Sequence, residues 1–383
     1  MIYRLPLFAQ VAVIRQMKPH ECFFLGSLSK KSKRLVQRST KKTLNATIIC
    51  LVSKQIKICN NSNTNQEYEK GITYWSKCDK ITTNKKKSRE DKWITLEYNG
   101  VKMKCRLTFD DFYVNYYGPP TVSCNSKQIK FVPLALQKAI SDVFDIPNVI
   151  QFKMGLSSKA LTDFPSITQV DLINDSLVTE VNEKALDRFL KRVQVKHSIQ
   201  FINWMRFNPK SPIFSIDHLL VDKAEELSRE CFLNFAGKSA MFRDTEKLKS
   251  QDLIDFVKMW LNGTNTKLEA VVVVDHAINS FDREEVLKEF ETMPWDPKRR
   301  DGRFKFPENS QTLEHSNDLL DCTQQVDIQR THDGLLATIV VTEEEFCFFV
   351  WHTPFAPQGN NMPVTVLNDY DQSVSYLLGT ISF

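Results

Sequence analysis

Seven histidines and nine cysteines are the groups from which this chain could build a nucleophile, a general base or a metal site. Their spacing provides none of these. His20, His197, His218, His276, His315, His332 and His352 are scattered, and none sits with Cys or Asp at a helical spacing suited to metal binding or general-base work. The cysteines form no CxxC pair and no zinc-type set with histidine. No P-loop, GxGxxG, HExxH or GxSxG stretch is present. Asp110 and Asp111 are paired carboxylates, but neighbours on a strand point to opposite faces and cannot share one proton. Asp275-His276 follows an apolar strand, where α/β enzymes place reacting groups. Alone, it is expected to serve structure or surface. The sequence therefore predicts no enzyme, no cofactor and no metal, and leaves binding.

Composition fits that reading. At 383 residues and 42% hydrophobic, the chain is long enough for two or three globular domains. Residues 1–60 hold twelve Lys and Arg against Glu21 alone. That is a net of +11 in a chain whose total is +5, so the remainder carries −6. A basic head can serve nucleic acid, and the alternative function considered is a nucleic-acid-binding module using this segment. An odd number of dispersed cysteines fits a reducing cytoplasm or nucleus. No apolar run approaches the roughly 20 residues of a membrane span. Leu5 to Ile14 has the length of a signal-peptide core, yet Arg15 follows it without a small-x-small cleavage site, so a secretory reading is rejected.

The elements that must do the binding begin at the amino terminus. Leu7, Val11 and Ile14 recur at i, i+4 and i+7, and Val13 and Met17 fall on an adjoining strip. Pro19 ends that run, a second carries Phe23, Phe24, Leu25 and Leu28, and a short basic run, KKSKRLVQR, follows. Three helices from so few residues bury too little surface to stand alone. Two apolar strips on one thin helix mean that one faces inward while the other seeks a partner.

This segment resembles the F-box. Leu5-Pro6, Val13, Ile14, Met17, Glu21, Leu25, Leu28, Lys30, Arg34 and Leu35 follow the family pattern without a gap. Phe8 stands where many members carry an acid, and Ser32 where many carry Trp. The ending from Ser29 to Val36 is similar to the nematode branch. The resemblance implies docking on the Skp adaptor of a Skp–cullin–F-box ubiquitin ligase. The contact residues expected on that basis are Leu5, Pro6, Val11, Ile14, Met17, Leu25, Leu28 and Leu35, some of which must instead close the helices on one another.

Beyond the head, ATIICLVSKQIKI (46–58) is β-like, and residues 60–92 become polar and Lys/Asn-rich, with a short apolar break at Ile72–Trp75. Asn99-Gly100 between alternating runs signals a hairpin. Residues 46–112 are thus expected to form a small antiparallel sheet. From Val132 strands alternate with helices, at 134–144 and 180–193 and from 251 to Gly263, the last with Ser250 as its N-cap. Asp282 and Glu285 form a capping box for another. Strand starts near 167, 198, 218, 238 and 267 are spaced about as in leucine-rich repeats, though without the LxxLxLxxN consensus. An ordinary layered α/β domain is the other arrangement that this pattern allows. A Pro-rich connector at 294–310 leads to a terminal hairpin turning at Asp333-Gly334 and an inner strand at 346–351.

LIDFVKMWLNGTNTKLEAVVVV (253–274), VDIQRTHDGLLATIVV (326–341), Phe348, Val350 and Trp351 together resemble the F-box-associated domain of type 2, most specifically at Trp260-Leu261-Asn262-Gly263. Its weaker echo runs from Leu134 to Trp351. The expected fold is α+β. An F-box at 1–44 precedes a small β-rich region at 45–125 with its insertion at 60–92. An irregular, leucine-rich-repeat-like β–α stack at 126–352, closed by the hairpin, precedes a tail at 353–383. The resemblance implies a substrate receptor whose partners are a Skp-type adaptor, through it a cullin, and a target protein.

Overall fold

The computed structural model describes residues 4–17, 19–40, 46–50, 55–59, 71–77, 92–108, 121–124, 128, 131–145, 151–154, 169–175, 183–201, 206–263, 265–275, 280–306, 319–353 and 364–366. Most of the polar insertion and of the tail, together with Asp110, Asp111 and His276, lies outside them. The chain divides into two compact units, Met1–Met154 with Thr162–Val170, and Gly155–Leu161 with Asp171–Phe383.

In the first unit, α1 (Leu7–Gln16) starts after Pro6, and it ends where Met17 turns extended and its N–H bonds the Ile14 carbonyl. Proline is tolerated at a helix start because that N–H lacks a helical partner anyway. The same logic opens α2 (Pro19–Leu28). Ser29 precedes α3 (Lys30–Thr40), and its hydroxyl accepts the Ser32 N–H at 3.1 Å. The strands are β1 (Ala46–Cys50), β2 (Gln55–Cys59), β3 (Gly71–Lys77), β4 (Lys92–Tyr98), β5 (Val101–Thr108), β6 (Thr121–Cys124) and β7 (Gln151–Met154). Helix α4 (Val132–Phe144) opens on Pro133 and stops at Asp145, whose φ of 58° is left-handed.

The sheet order is β7-β1-β2-β3-β6-β5-β4. It is mixed, not purely antiparallel, because β3 pairs β6 and β1 pairs β7 in parallel. The apolar break at Ile72–Trp75 is strand β3, paired to β2 and β6. Asn99 and Gly100, at φ 49° and 78°, turn β4 back onto β5 as a two-residue hairpin requires.

Strand β8 (Gln169–Asp175) has its first two residues in the first unit, and the second unit continues as α5 (Glu183–Arg192), β9 (Gln194–Phe201), β10 (His218–Val221), α6 (Arg229–Leu233), β11 (Ser239–Arg243), α7 (Ser250–Asn262) and β12 (Ala270–Val274). Then come α8 (Arg283–Leu287), β13 (Met293–Pro294), β14 (Arg303–Lys305), β15 (Leu319–Asp321), β16 (Val326–Gln329), β17 (Leu336–Val341), β18 (Glu345–Trp351) and β19 (Val364–Val366). Strands β9 to β12 are parallel neighbours, and β18, β17, β16 and β13 extend the sheet antiparallel from β12. The 346–351 strand therefore runs inside the sheet, between β12 and β17.

Successive side chains on these strands face opposite layers. Phe242 and Phe348 meet Phe232, Phe256 and Trp260 from α6 and α7. Met241 and Phe349 join Phe304, Phe306 and Leu320 from the β14–β15 side. Each such fully buried ring contributes roughly 2 kcal/mol. The parallel run is thus covered on both faces, and the face that an open repeat horseshoe would leave to solvent carries β14 and β15. The N-cap of α7 is Lys249, not Ser250. The Ser250 hydroxyl instead accepts the Asp282 N–H at 2.9 Å, while Asp252 reaches back to the Lys249 N–H. Asp282 caps α8 by accepting from the Glu285 N–H.

Candidate docking surface

Ile14, Cys22, Phe23, Leu35 and Val36 form the interior of the helical head, with Ile14 only 1% exposed. The Cys22 thiol donates to the Ile14 carbonyl at 3.5 Å. Burial, and then the nearby Glu21 charge, push this thiol up to about 11, so it stays protonated at neutral pH. Ser32 lies 2.7 Å from the Ser29 hydroxyl and is buried, a small polar plug where the F-box pattern favours a large ring. Helices α2 and α3 rest on α4, and the Gln37 side chain donates to the Asp142 carbonyl at 3.1 Å. Gly26 permits the approach, since a Cβ there would overlap the Val143 side chain. Ten of the thirteen residues of α4 are buried, so it serves as a fourth helix beneath the head.

The head nevertheless leaves large apolar side chains exposed. Of the eight large hydrophobic side chains exposed among the described residues, five lie between Leu5 and Leu28. They are Leu5, Leu7, Phe8, Val13 and Leu28, with Phe8 and Leu28 each 77% exposed. Exposed apolar patches on folded proteins are where partners bind, which makes the head the candidate docking surface. Among the residues expected from sequence, Leu5, Pro6 and Leu28 are exposed, and Val11, Met17 and Leu25 are half-buried. Ile14 and Leu35 close the helices on one another. Leu7, Phe8 and Val13 were absent from the expected set. Two apolar strips on α1 were the available signal for Leu7 and Val13, whereas Phe8 read only as a departure from pattern. Lys30, Lys31, Arg34 and Arg38 are exposed on α3 while Leu35 and Val36 point inward, so the charge lies on a solvated face.

Elsewhere among the described residues several chemically versatile groups are locked into structure, while His197 and His332 are exposed. Burial raises Cys105 and Cys322 to about 12 and Cys347 well above its ordinary range. His218 is buried with Nδ1 2.8 Å from the Ser239 hydroxyl, and burial depresses its pKa to about 4. Arg300 grips Asp327 with two bonds of 2.8 Å and lies over the Trp351 ring, 4.4 Å from its centroid. Thr338 donates to Asp327 and accepts from the Trp351 indole, completing a buried network. Fully satisfied, such a network specifies the packing of β16 to β18 rather than a reaction. No group of three or more His, Cys, Asp or Glu among the described residues is placed to hold a metal ion. No described helix is long and apolar enough to cross a membrane.

Comparison with known proteins bears on the second unit. Residues 198–273, which span the parallel run from β9 to β12, match the family model described as F-box associated. An uncharacterized protein of Caenorhabditis elegans is 25% identical over 208 residues, covering 50% of this chain. The alignment spans 44% of that protein's length. No solved structure gives a significant match. The matched segment includes the Trp260-to-Gly263 cluster and its following strand, but not residues 5–35. Through residues 198–273 the chain is similar to the nematode-type F-box-associated proteins.

Proposed function

We propose that this chain is the substrate-recognition subunit of a Skp–cullin–F-box ubiquitin ligase. In this reading its helical head docks on a Skp-type adaptor, and its C-terminal unit holds a target protein. The observation that carries the reading is the exposed apolar set Leu5, Leu7, Phe8, Val13 and Leu28 on a head that resembles the F-box, in one chain with an F-box-associated match. Such a subunit forms and breaks no bonds. Tethering raises the effective concentration of a target lysine near the ubiquitin-charged enzyme. The absence of catalytic spacing in the sequence is consistent with that role.

The proposal divides the expected contact residues. Leu5, Pro6 and Leu28, joined by Leu7, Phe8 and Val13, face the adaptor, and Val11, Met17 and Leu25 contribute their half-exposed edges. Ile14 and Leu35 support the surface from within. Co-expression of the full chain with a Skp-type adaptor tests the proposal. A stoichiometric complex that survives size exclusion is expected, and separate elution contradicts it. The exposed cations of α3 favour a second reading, nucleic-acid binding by the head. That reading requires affinity to fall steeply with salt. A flat response removes it.

A further inference from the structure

Strand β4 is the last in its sheet order, so among the described residues its backbone is paired on one side only, by β5. Native proteins usually shield such an edge with charge, a bulge or a covering element. Here the outward face of the edge strand carries Trp93, 44% exposed, followed by exposed Thr95 and Glu97. Leu96 on β4 and Met103 and Cys105 on β5 are buried on the other face, which fixes the register and holds the strip rigid. Register sets Glu97 opposite Lys102, so those charges balance. Lys104 stands opposite Thr95 and has no acid across from it. Its ammonium lies 5.0 Å from the Trp93 ring centroid, on exposed surface.

We propose that the β4 edge binds an extended, acidic segment of a recruited protein, added to the sheet as a further strand. Backbone bonds along β4 supply affinity without regard to sequence, and alternate side chains of the incoming strand supply choice. An apolar residue covers the Trp93 face, and a carboxylate beside it meets Lys104. On this face Lys102, Lys104 and Arg106 of β5 stand against the single acid Glu97 of β4, so an acidic partner complements it better than a second copy of this chain, which brings the same cationic face. Only the identity of the occupant as a target rests on the receptor reading. The edge itself takes peptide whether or not the head docks an adaptor, so the two ideas fail separately.

The test uses the full chain and two labelled, capped eight-residue peptides, one alternating Glu with Val and one alternating Lys with Val, followed by fluorescence anisotropy. The Glu/Val peptide is expected to bind and the Lys/Val peptide to bind at least about tenfold more weakly. Trp93→Ala should weaken the acidic peptide by about tenfold, the loss typical of a truncated aromatic anchor. Lys104→Glu, a change on exposed surface that leaves the core intact, should reverse the preference between the two peptides. Adaptor capture should be unchanged in both variants. Failure of the Glu/Val peptide to bind, indifference of its binding to both substitutions, or concentration-dependent dimers abolished by Trp93→Ala would each overturn the proposal.

Discussion

The Arg330 guanidinium lies over the Trp260 indole, 4.6 Å from its centroid, and donates to the carbonyls of Trp260 and Asn265 at 3.4 and 2.9 Å. One side chain from the end of β16 thereby closes the carboxyl end of α7, whose last carbonyls lack helical partners. Asp333 at the following turn pairs with the same guanidinium, and that hydrogen bond holds its carboxyl at about 2. The most specific cluster of the F-box-associated resemblance, Trp260 to Gly263, is therefore an architectural clasp.

Arg330→Ala should cost about 3 kcal/mol, because it leaves a buried helix end unsatisfied and removes the stacked cation. Arg330→Lys keeps the charge but loses the planar fork and should cost roughly half as much. Urea unfolding midpoints of the full chain read both effects. Equal stability of all three proteins contradicts the clasp.

Gly26 sets the distance between the head and its fourth helix. Gly26→Ala should destabilise the first unit by about 1–3 kcal/mol, the usual cost of overpacking, because branched Val143 has little rotamer freedom to yield. Thermal melting followed by circular dichroism checks this. An unchanged melting temperature would mean that α2 does not bear on α4.

His218 predicts a pH window. Its folded pKa of about 4 lies below the ordinary 6.5, so the unfolded chain takes up the proton first as pH falls. Stability is full above 6.5, declines toward 4 and then levels, with a total of about 3 kcal/mol at most. Burial is the main cause, opposed by Asp217 and reinforced by Lys238 and His197. Carboxylates held low by arginine, Asp333 by Arg330 and Asp255 by Arg229, lose their contribution only at more acid pH. His218→Asn should flatten the decline between 6.5 and 4, as measured by urea titration at each pH. A slope equal to that of the native chain would assign the effect elsewhere.

Local signals were legible and distant ones were not. Asn99-Gly100 announced the β4–β5 hairpin because left-handed φ at two successive positions demands such residues. Asp333-Gly334 marked the longer turn from β16 to β17, where Gly334 alone is left-handed. The parallel pairing of β3 with β6 joins segments separated by two other strands, which no short periodicity encodes. Ser250 looked like a cap because its hydroxyl stands at a helix start, yet a backbone N–H 32 positions away claims it. At the candidate site, periodicity located the apolar head but could not say which strip of α1 its packing leaves open. Phe8 emerged only from the fold.

The central claim is that the exposed apolar set on α1 and α2 is an adaptor-docking surface. Titration calorimetry of the full chain against a purified Skp-type adaptor tests it, with Phe8→Asp and Leu28→Asp as variants. Both residues are exposed, so the substitutions spare the folded core. The account predicts tight binding by the native chain and a loss of at least about 2 kcal/mol in each variant, at unchanged melting temperature. No heat of binding with the native chain, or equal affinity in all three proteins, would contradict it.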